Sequence, residues 1–181
     1  MITGEQFAEK ALTGGYIGMP YEKLDCQGFV EKVLADCGVR KPNGTVYDWR
    51  GSNSMYRNYY QWRGSVKECE SKFGMIPQGA LVFTRKTDGG EVERGYHDGL
   101  GNFSHVGIYV GSPHGVIHST TGGVQYGKFP DAKRWTNVSL LSMIDYTNQN
   151  VNNNDSRGAK QIISEMRDLL TKLEGIINAD I

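Results

Sequence analysis

Cys26 stands directly behind an acid and directly ahead of an apolar rhythm, in "LDCQGFVEKVLADCGV". Asp25 is a favoured N-cap residue. Phe29, Val30, Val33, Leu34 and Cys37 recur at helical spacing, and Gly38 suits the position just past a helix end. A helix starting here turns its unpaired N–H groups and positive end toward the Cys26 sulfur, which favours the thiolate. That favour is about 0.3–1 kcal/mol at an exposed site, against about 1.4 kcal/mol for one pKa unit. The helix end alone therefore does not turn an ordinary thiol into a nucleophile, and a neighbouring imidazole must take its proton. The plain alternative is a small buried apolar residue, which is how Cys37 and Cys69 read.

The chain has four histidines. His97 and His114 lie in glycine-bearing loop stretches. His105 opens "HVGIYVG", where Val106, Ile108 and Val110 alternate with His105, Gly107 and Tyr109 at strand period. "GSPHG" supplies turn residues, and His118 lies on the returning "VIHS". With residues 111–114 as the hairpin loop and Val110 opposite Gly115, Gly107 faces His118 and His105 faces Thr120. The two imidazoles then share one face as diagonal neighbours, about 7–8 Å apart at the backbone, and Gly107 leaves room over His118. A loop one residue longer sends them to opposite faces. On the first register a Cys–His–His relay is expected. His105 takes the proton of Cys26, and His118 accepts a hydrogen bond from the far ring nitrogen of His105, the role of an Asp or Asn in other triads. The Cys26 N–H contributes to an oxyanion hole. The chemistry is amide hydrolysis through a thioester.

These residues need elements to carry them. Thr3 and Gln6 match a capping box for a helix over 3–13, with Phe7, Ala8, Ala11 and Leu12 on one face and Gly14-Gly15 at its end. Residues 42–64 mix aromatics and arginines with polar residues; they read as a short helix and loops over the core, or as a cleft wall for a polar, partly acidic substrate. "PQGALVF" reads as turn and strand, residues 84–103 as a long loop, and "NVSLLSMIDY" as the stretch that closes a domain over 1–146. Residues 147–158 form an Asn-rich linker. Ile162, Met166, Leu169, Leu173 and Ile176 mark an amphipathic helix over 159–181, suited to docking or to homo-oligomerisation.

Lys plus Arg and Asp plus Glu number 20 each, and this zero balance argues against nucleic acid as the main partner. No apolar run is long enough for a membrane span, and the first residues lack the pattern of a signal peptide. Three cysteines are too few for a disulfide scaffold, which leaves a Cys37–Cys69 bridge open. No cysteine or histidine spacing suggests a metal site, and no cofactor is expected.

Four segments in order resemble the NlpC family of cell-wall cysteine peptidases, over roughly residues 5–146. "DCQGFV" resembles its D-C-S-G-(F/L)-V nucleophile motif, "SHVGIYVG" its basic-histidine strand and "VIHS" its third-residue strand. "PQGALVF" resembles its P-G-D-(L/A)-(L/V)-F segment. The resemblance implies an α+β, papain-like core, with N-terminal helices on a central antiparallel sheet. It implies cleavage within peptidoglycan stem peptides, commonly between D-glutamate and the diamino acid. Cys26 is then the nucleophile, His105 the base and His118 the orienting residue. Tyr21 is similar to the tyrosine at the nucleophile, and Asp25 and Ser104 match positions that in some members hold the stem peptide's free amine. "WRGSN" and "GYHDGLGN" look like the phage and prophage branch of Gram-positive bacteria, which implies a secreted, wall-bound or phage-delivered protein. Gln27 departs from the family serine. An amidase or acyltransferase with the same triad, and a non-catalytic wall or phage module assembled through its last helix, are the competing readings.

Overall fold

Thr3 caps the first helix in the manner its spacing with Gln6 suggests. Its hydroxyl accepts from the Gln6 N–H at 3.2 Å, and the Gln6 side chain accepts from the Thr3 N–H at 2.9 Å, ahead of α1 (Gly4–Thr13). α2 (Cys26–Asp36) begins at Asp25, whose carboxylate accepts from the Gly28 N–H at 2.6 Å. Its C-cap is Cys37, and Gly38 follows with a φ of 73°, a left-handed conformation that costs glycine little. α1 buries Phe7, Ala8 and Ala11; α2 buries Phe29, Val30, Val33 and Leu34. Each large apolar side chain so buried contributes about 1.5–3 kcal/mol.

The computed structural model describes residues 1–86, 96 and 98–149. His97, most of the long loop, the linker from residue 150 and the expected helix over 159–181 with its self-association lie outside the described residues. Residues 147–149, at the expected start of the linker, form a 3-10 turn, and the Gln149 amide donates to the Gln78 carbonyl at 3.0 Å.

The central sheet is antiparallel throughout. Its strands are β2 (Tyr60–Ser65), β3 (Leu81–Lys86), β4 (Asn102–Gly111), β5 (Gly115–Thr120), β6 (Gly123–Gly127) and β7 (Asn137–Leu141). They lie in the order β2-β7-β3-β4-β5-β6. A second, parallel pair joins β1 (Ile2–Thr3) to β8 (Ile144–Asp145). α1 and α2 both pack on β4, and α2 also on β5. Two further helices, α3 (Gly51–Arg57) and α4 (Val66–Phe73), complete an α+β architecture. Among the described residues no helix is long and apolar enough to cross a membrane.

One expectation needs correction, and one open question is answered. The stretch 42–64 holds more than a short helix and loops, because Tyr60–Ser65 form β2 against β7; that pairing reaches across the chain and has no local signal. Cys37 and Cys69 are free thiols, as is Cys26. α4 and β6 carried no expectation. α4 nevertheless has its own capping box, in which the Glu68 N–H donates to Ser65 and the Ser65 N–H donates to the Glu68 carboxylate.

The β4–β5 hairpin reaches the expected register by a different turn. Gly111 pairs with Gly115, so the loop is Ser112–His114, and a bulge at Val110 takes up the residue so gained. The two differences cancel. Ile108 lies opposite Ile117, and the register continues to set Gly107 beside His118. A Cβ on Gly107 would stand 3.0 Å from the His118 Cβ and 2.5 Å from the Val116 side chain.

Candidate active site

Cys26 is the first residue of α2 and is 8 % exposed. Burial raises its thiol pKa. The nearby backbone N–H of Val106 opposes that rise, as do those of Gln27 and Cys26, while the Asp25 carboxylate adds to it. Burial outweighs the helix end, so the resting thiol is protonated at neutral pH. The Tyr21 hydroxyl is raised by burial first, then by its closeness to Cys26 and Asp25. Tyr21, Asp25 and Cys26 thus form one group, reached from the sheet by the backbone of Val106.

Val106 follows His105 on β4. His105 Nε2 and His118 Nδ1 lie 2.8 Å apart, with ring centroids at 5.0 Å and an interplanar angle of 80°. His118 is 1 % exposed. Burial pushes His105 down to about 4, aided by the Arg134 charge. Burial, then His105, then Arg134 push His118 down to about 4. Both imidazoles are neutral at pH 7, so His105 is free to accept a proton.

Trp135 braces the pair. It stacks on His105 at 5.7 Å and 25° and meets His118 edge-on at 5.2 Å and 88°. Its Nε1–H donates to the Lys128 carbonyl at 3.1 Å. No sequence pattern pointed to Trp135 or Arg134; the available signal was a tryptophan just ahead of a strand, which most often means core. Gly127 lies against the other side of His118, where a Cβ would come within 2.8 Å of its Nε2.

Ser104 lies at a bulge: Thr84 pairs with His105 and Arg85 with Phe103, so Ser104 has no partner on β3. Bulges re-aim neighbouring side chains. The structure places Ser104 beside His105 along the chain and half-buried, without a hydrogen bond to Tyr21, Asp25 or Cys26. α3 fixes the start of this strand. The Phe103 N–H donates to Asn53 at 2.8 Å, the Ser52 hydroxyl donates to the Phe103 carbonyl at 2.7 Å, and Arg57 pairs with Asp98 at 2.8 Å. The Tyr96 hydroxyl donates to the Arg50 carbonyl at 3.4 Å and the Asn53 amide to Asn102 at 2.8 Å, so "WRGSN" meets described residues of "GYHDGLGN". Gln27 likewise ties segments together. Its amide N–H donates to the Trp49 carbonyl and to Glu31, and its oxygen accepts from the Gly51 N–H.

A cavity of about 350 Å³ opens beside His105, lined also by Tyr21, Thr84, Thr120 and Arg134. Tyr21 joins it to the Cys26 group. A thiol at a helix tip, beside a strand that presents a paired imidazole, defines an α+β cysteine peptidase of papain-like type. The chain belongs to the NlpC/P60 family, which its residues 13–143 match; that family comprises cysteine peptidases that hydrolyse peptidoglycan. No curated protein sequence matches the chain significantly.

Proposed function

We propose that the chain is a peptidoglycan endopeptidase that cuts stem peptides between D-glutamate and the diamino acid, with Cys26, His105 and His118 as its triad. The observation that carries this is the 2.8 Å contact between His105 Nε2 and His118 Nδ1, on a strand whose next backbone amide, Val106, lies near enough to Cys26 to favour its thiolate. His105 Nε2–H donates to His118, which fixes the tautomer and leaves Nδ1 of His105 as the base. Because thiol and imidazole are both neutral at rest, proton transfer accompanies attack. The sulfur bonds to the carbonyl carbon as its proton passes to His105. The Cys26 N–H donates to the developing oxyanion, and the leaving amine takes the proton back. Water, deprotonated by His105, then opens the thioester and restores the thiol. Tyr21 lines the approach, and Asp25 and Ser104 take the free amine of the stem peptide. Such a substrate places the enzyme at the cell wall, after secretion or delivery by a phage.

The test is digestion of purified sacculi by the protein and by Cys26→Ala, with new termini mapped by mass spectrometry. New amino termini on the diamino acid, absent with Cys26→Ala, are expected. Termini elsewhere would favour an amidase, and identical products from both proteins would refute the catalytic assignment.

A further inference from the structure

The reactive groups account for one side of the cavity and leave its cationic side unused. Arg134 lines that cavity together with His105 and Tyr21. Its side chain is exposed and forms no ion pair among the described residues. Its Cζ lies 5.8 Å from the Trp135 ring, the ring that stacks on His105. Its charge is felt by both imidazoles. Thr84 faces the same cavity, and its hydroxyl is buried with no hydrogen-bond partner among the described residues. A guanidinium fork and a spare hydroxyl beside the base are the donors a carboxylate takes. The Asp25 carboxylate acts on the thiol and is not among the residues that line this cavity. The reactive groups are thus dipolar in setting, with a carboxylate at the helix tip and a guanidinium beside the imidazoles.

We propose that Arg134 and Thr84 receive a free carboxylate of the substrate, so that the cleft selects stem peptides whose γ-linked glutamyl residue keeps its α-carboxylate over those in which it is a carboxamide. This rests on the peptidase reading above and adds its substrate class. A γ-linked glutamyl residue gives its side-chain carboxyl to the scissile amide and leaves the α-carboxylate a few bonds from the reacting carbon. That carboxylate can therefore reach the groups that surround the base. A carboxamide there would bring its own N–H donors to a guanidinium that has no acceptor.

The test uses two synthetic peptides, L-Ala-γ-D-Glu-diamino acid and its α-carboxamide counterpart, with the full-length protein, Arg134→Gln and Arg134→Lys. The expected wild-type preference in kcat/KM for the carboxylate is at least about tenfold. Arg134→Gln should bring the ratio near one, chiefly through KM, with Arg134→Lys between. Removing the charge also changes the imidazoles, but that acts on both peptides and cancels in the ratio. A wild-type ratio near one, or a ratio unmoved by Arg134→Gln, overturns the assignment. Should the wild type cut neither peptide, calorimetric titration of Cys26→Ala and of Cys26→Ala with Arg134→Gln decides. A preference for the carboxylate that depends on Arg134 upholds the site while the peptidase reading falls, and equal or absent binding overturns the site.

Discussion

The backbone at Asp25 and Cys26 is set chiefly by α2 and its cap, through the Gly28 N–H that donates to Asp25, with the sheet adding Val106 beside the sulfur and Ser119 at Leu24. His105 and His118 are held by a hairpin, a bulge at Ser104 and a tryptophan that arrives from the segment ahead of β7. The helix tip is therefore a local structure. Its geometry follows from an N-cap and an apolar stripe, and it tolerates substitutions that keep the cap. The sheet side is a long-range structure, in which each imidazole depends on residues far from it in sequence. Electrostatics divide the same way. At the tip, backbone N–H groups partly offset burial of the thiol; at the sheet, the cited causes all push the imidazoles toward neutrality. Apart from the nucleophile Cys26 itself, substitutions on the sheet side should accordingly cost more than those at the tip.

The largest effect is expected at His118. On the proposed mechanism it positions His105 without touching substrate, so His118→Ala should lower kcat by up to on the order of 10⁴ while KM stays within a few-fold. His118→Asn, which keeps an acceptor, should recover part of the loss and shift the acid limb of the pH–rate profile. Equal losses in His118→Ala and His118→Asn, with an unshifted profile, would mean that the residue is merely packing.

The same pair sets an acid limit on the fold. An ordinary imidazole titrates near about 6.5, whereas His105 and His118 are each held down to about 4. As pH falls, the unfolded chain binds protons first. The stability these groups contribute is full above pH of about 6.5 and is lost as pH falls toward about 4. Denaturant melts at pH 7.5, 5.5 and 4.5 should show that decline, and His118→Gln should show a shallower one. An identical slope in both proteins would place the acid sensitivity elsewhere.

This division also explains what the sequence made legible. The α2 cap, the α1 capping box and the strand alternation around His105 are short-range signals, and each appears where its residues suggested. The β4–β5 register was legible only in part. A three-residue loop with a bulge at Val110 replaces the expected four-residue loop, and the imidazoles meet because the two changes cancel in parity. Trp135, Arg134 and the pairing of β2 with β7 were illegible, because their partners lie on other strands and no local pattern marks them. The pairing of His105 with His118 followed from strand spacing and hairpin parity, and the resemblance of four segments in order supported it.

Gly107 tests that register at moderate cost. An added Cβ meets the Val116 side chain, the His118 Cβ and the Ile117 carbonyl, so Gly107→Ala should cost about 1–3 kcal/mol of stability by overpacking. It should also lower activity by displacing His118. Gly122→Ala is the control, since the nearest atom there is a Thr120 hydroxyl at 3.7 Å. Equal melting temperatures for the two variants would show that the close contact carries no strain.

The smallest effects belong to the helix tip, where one residue has two separable roles. Asp25 caps α2 through the Gly28 N–H, and its charge raises the Cys26 thiol. Asp25→Ala removes both and should cost about 0.5–2 kcal/mol in denaturant melts. Asp25→Asn keeps a side-chain acceptor of equal capping rank, so stability should stay within about a few tenths of a kcal/mol. The carboxylate's repulsion of the thiolate is gone in that variant. The thiol pKa therefore falls, the thiolate fraction at pH 7 rises, and iodoacetamide should alkylate Cys26 faster than in the wild type. A slower or equal rate in Asp25→Asn would show that the carboxylate does not face the sulfur. The acid at the tip would then be a cap alone, and the dipolar contrast with Arg134 would lose one of its poles.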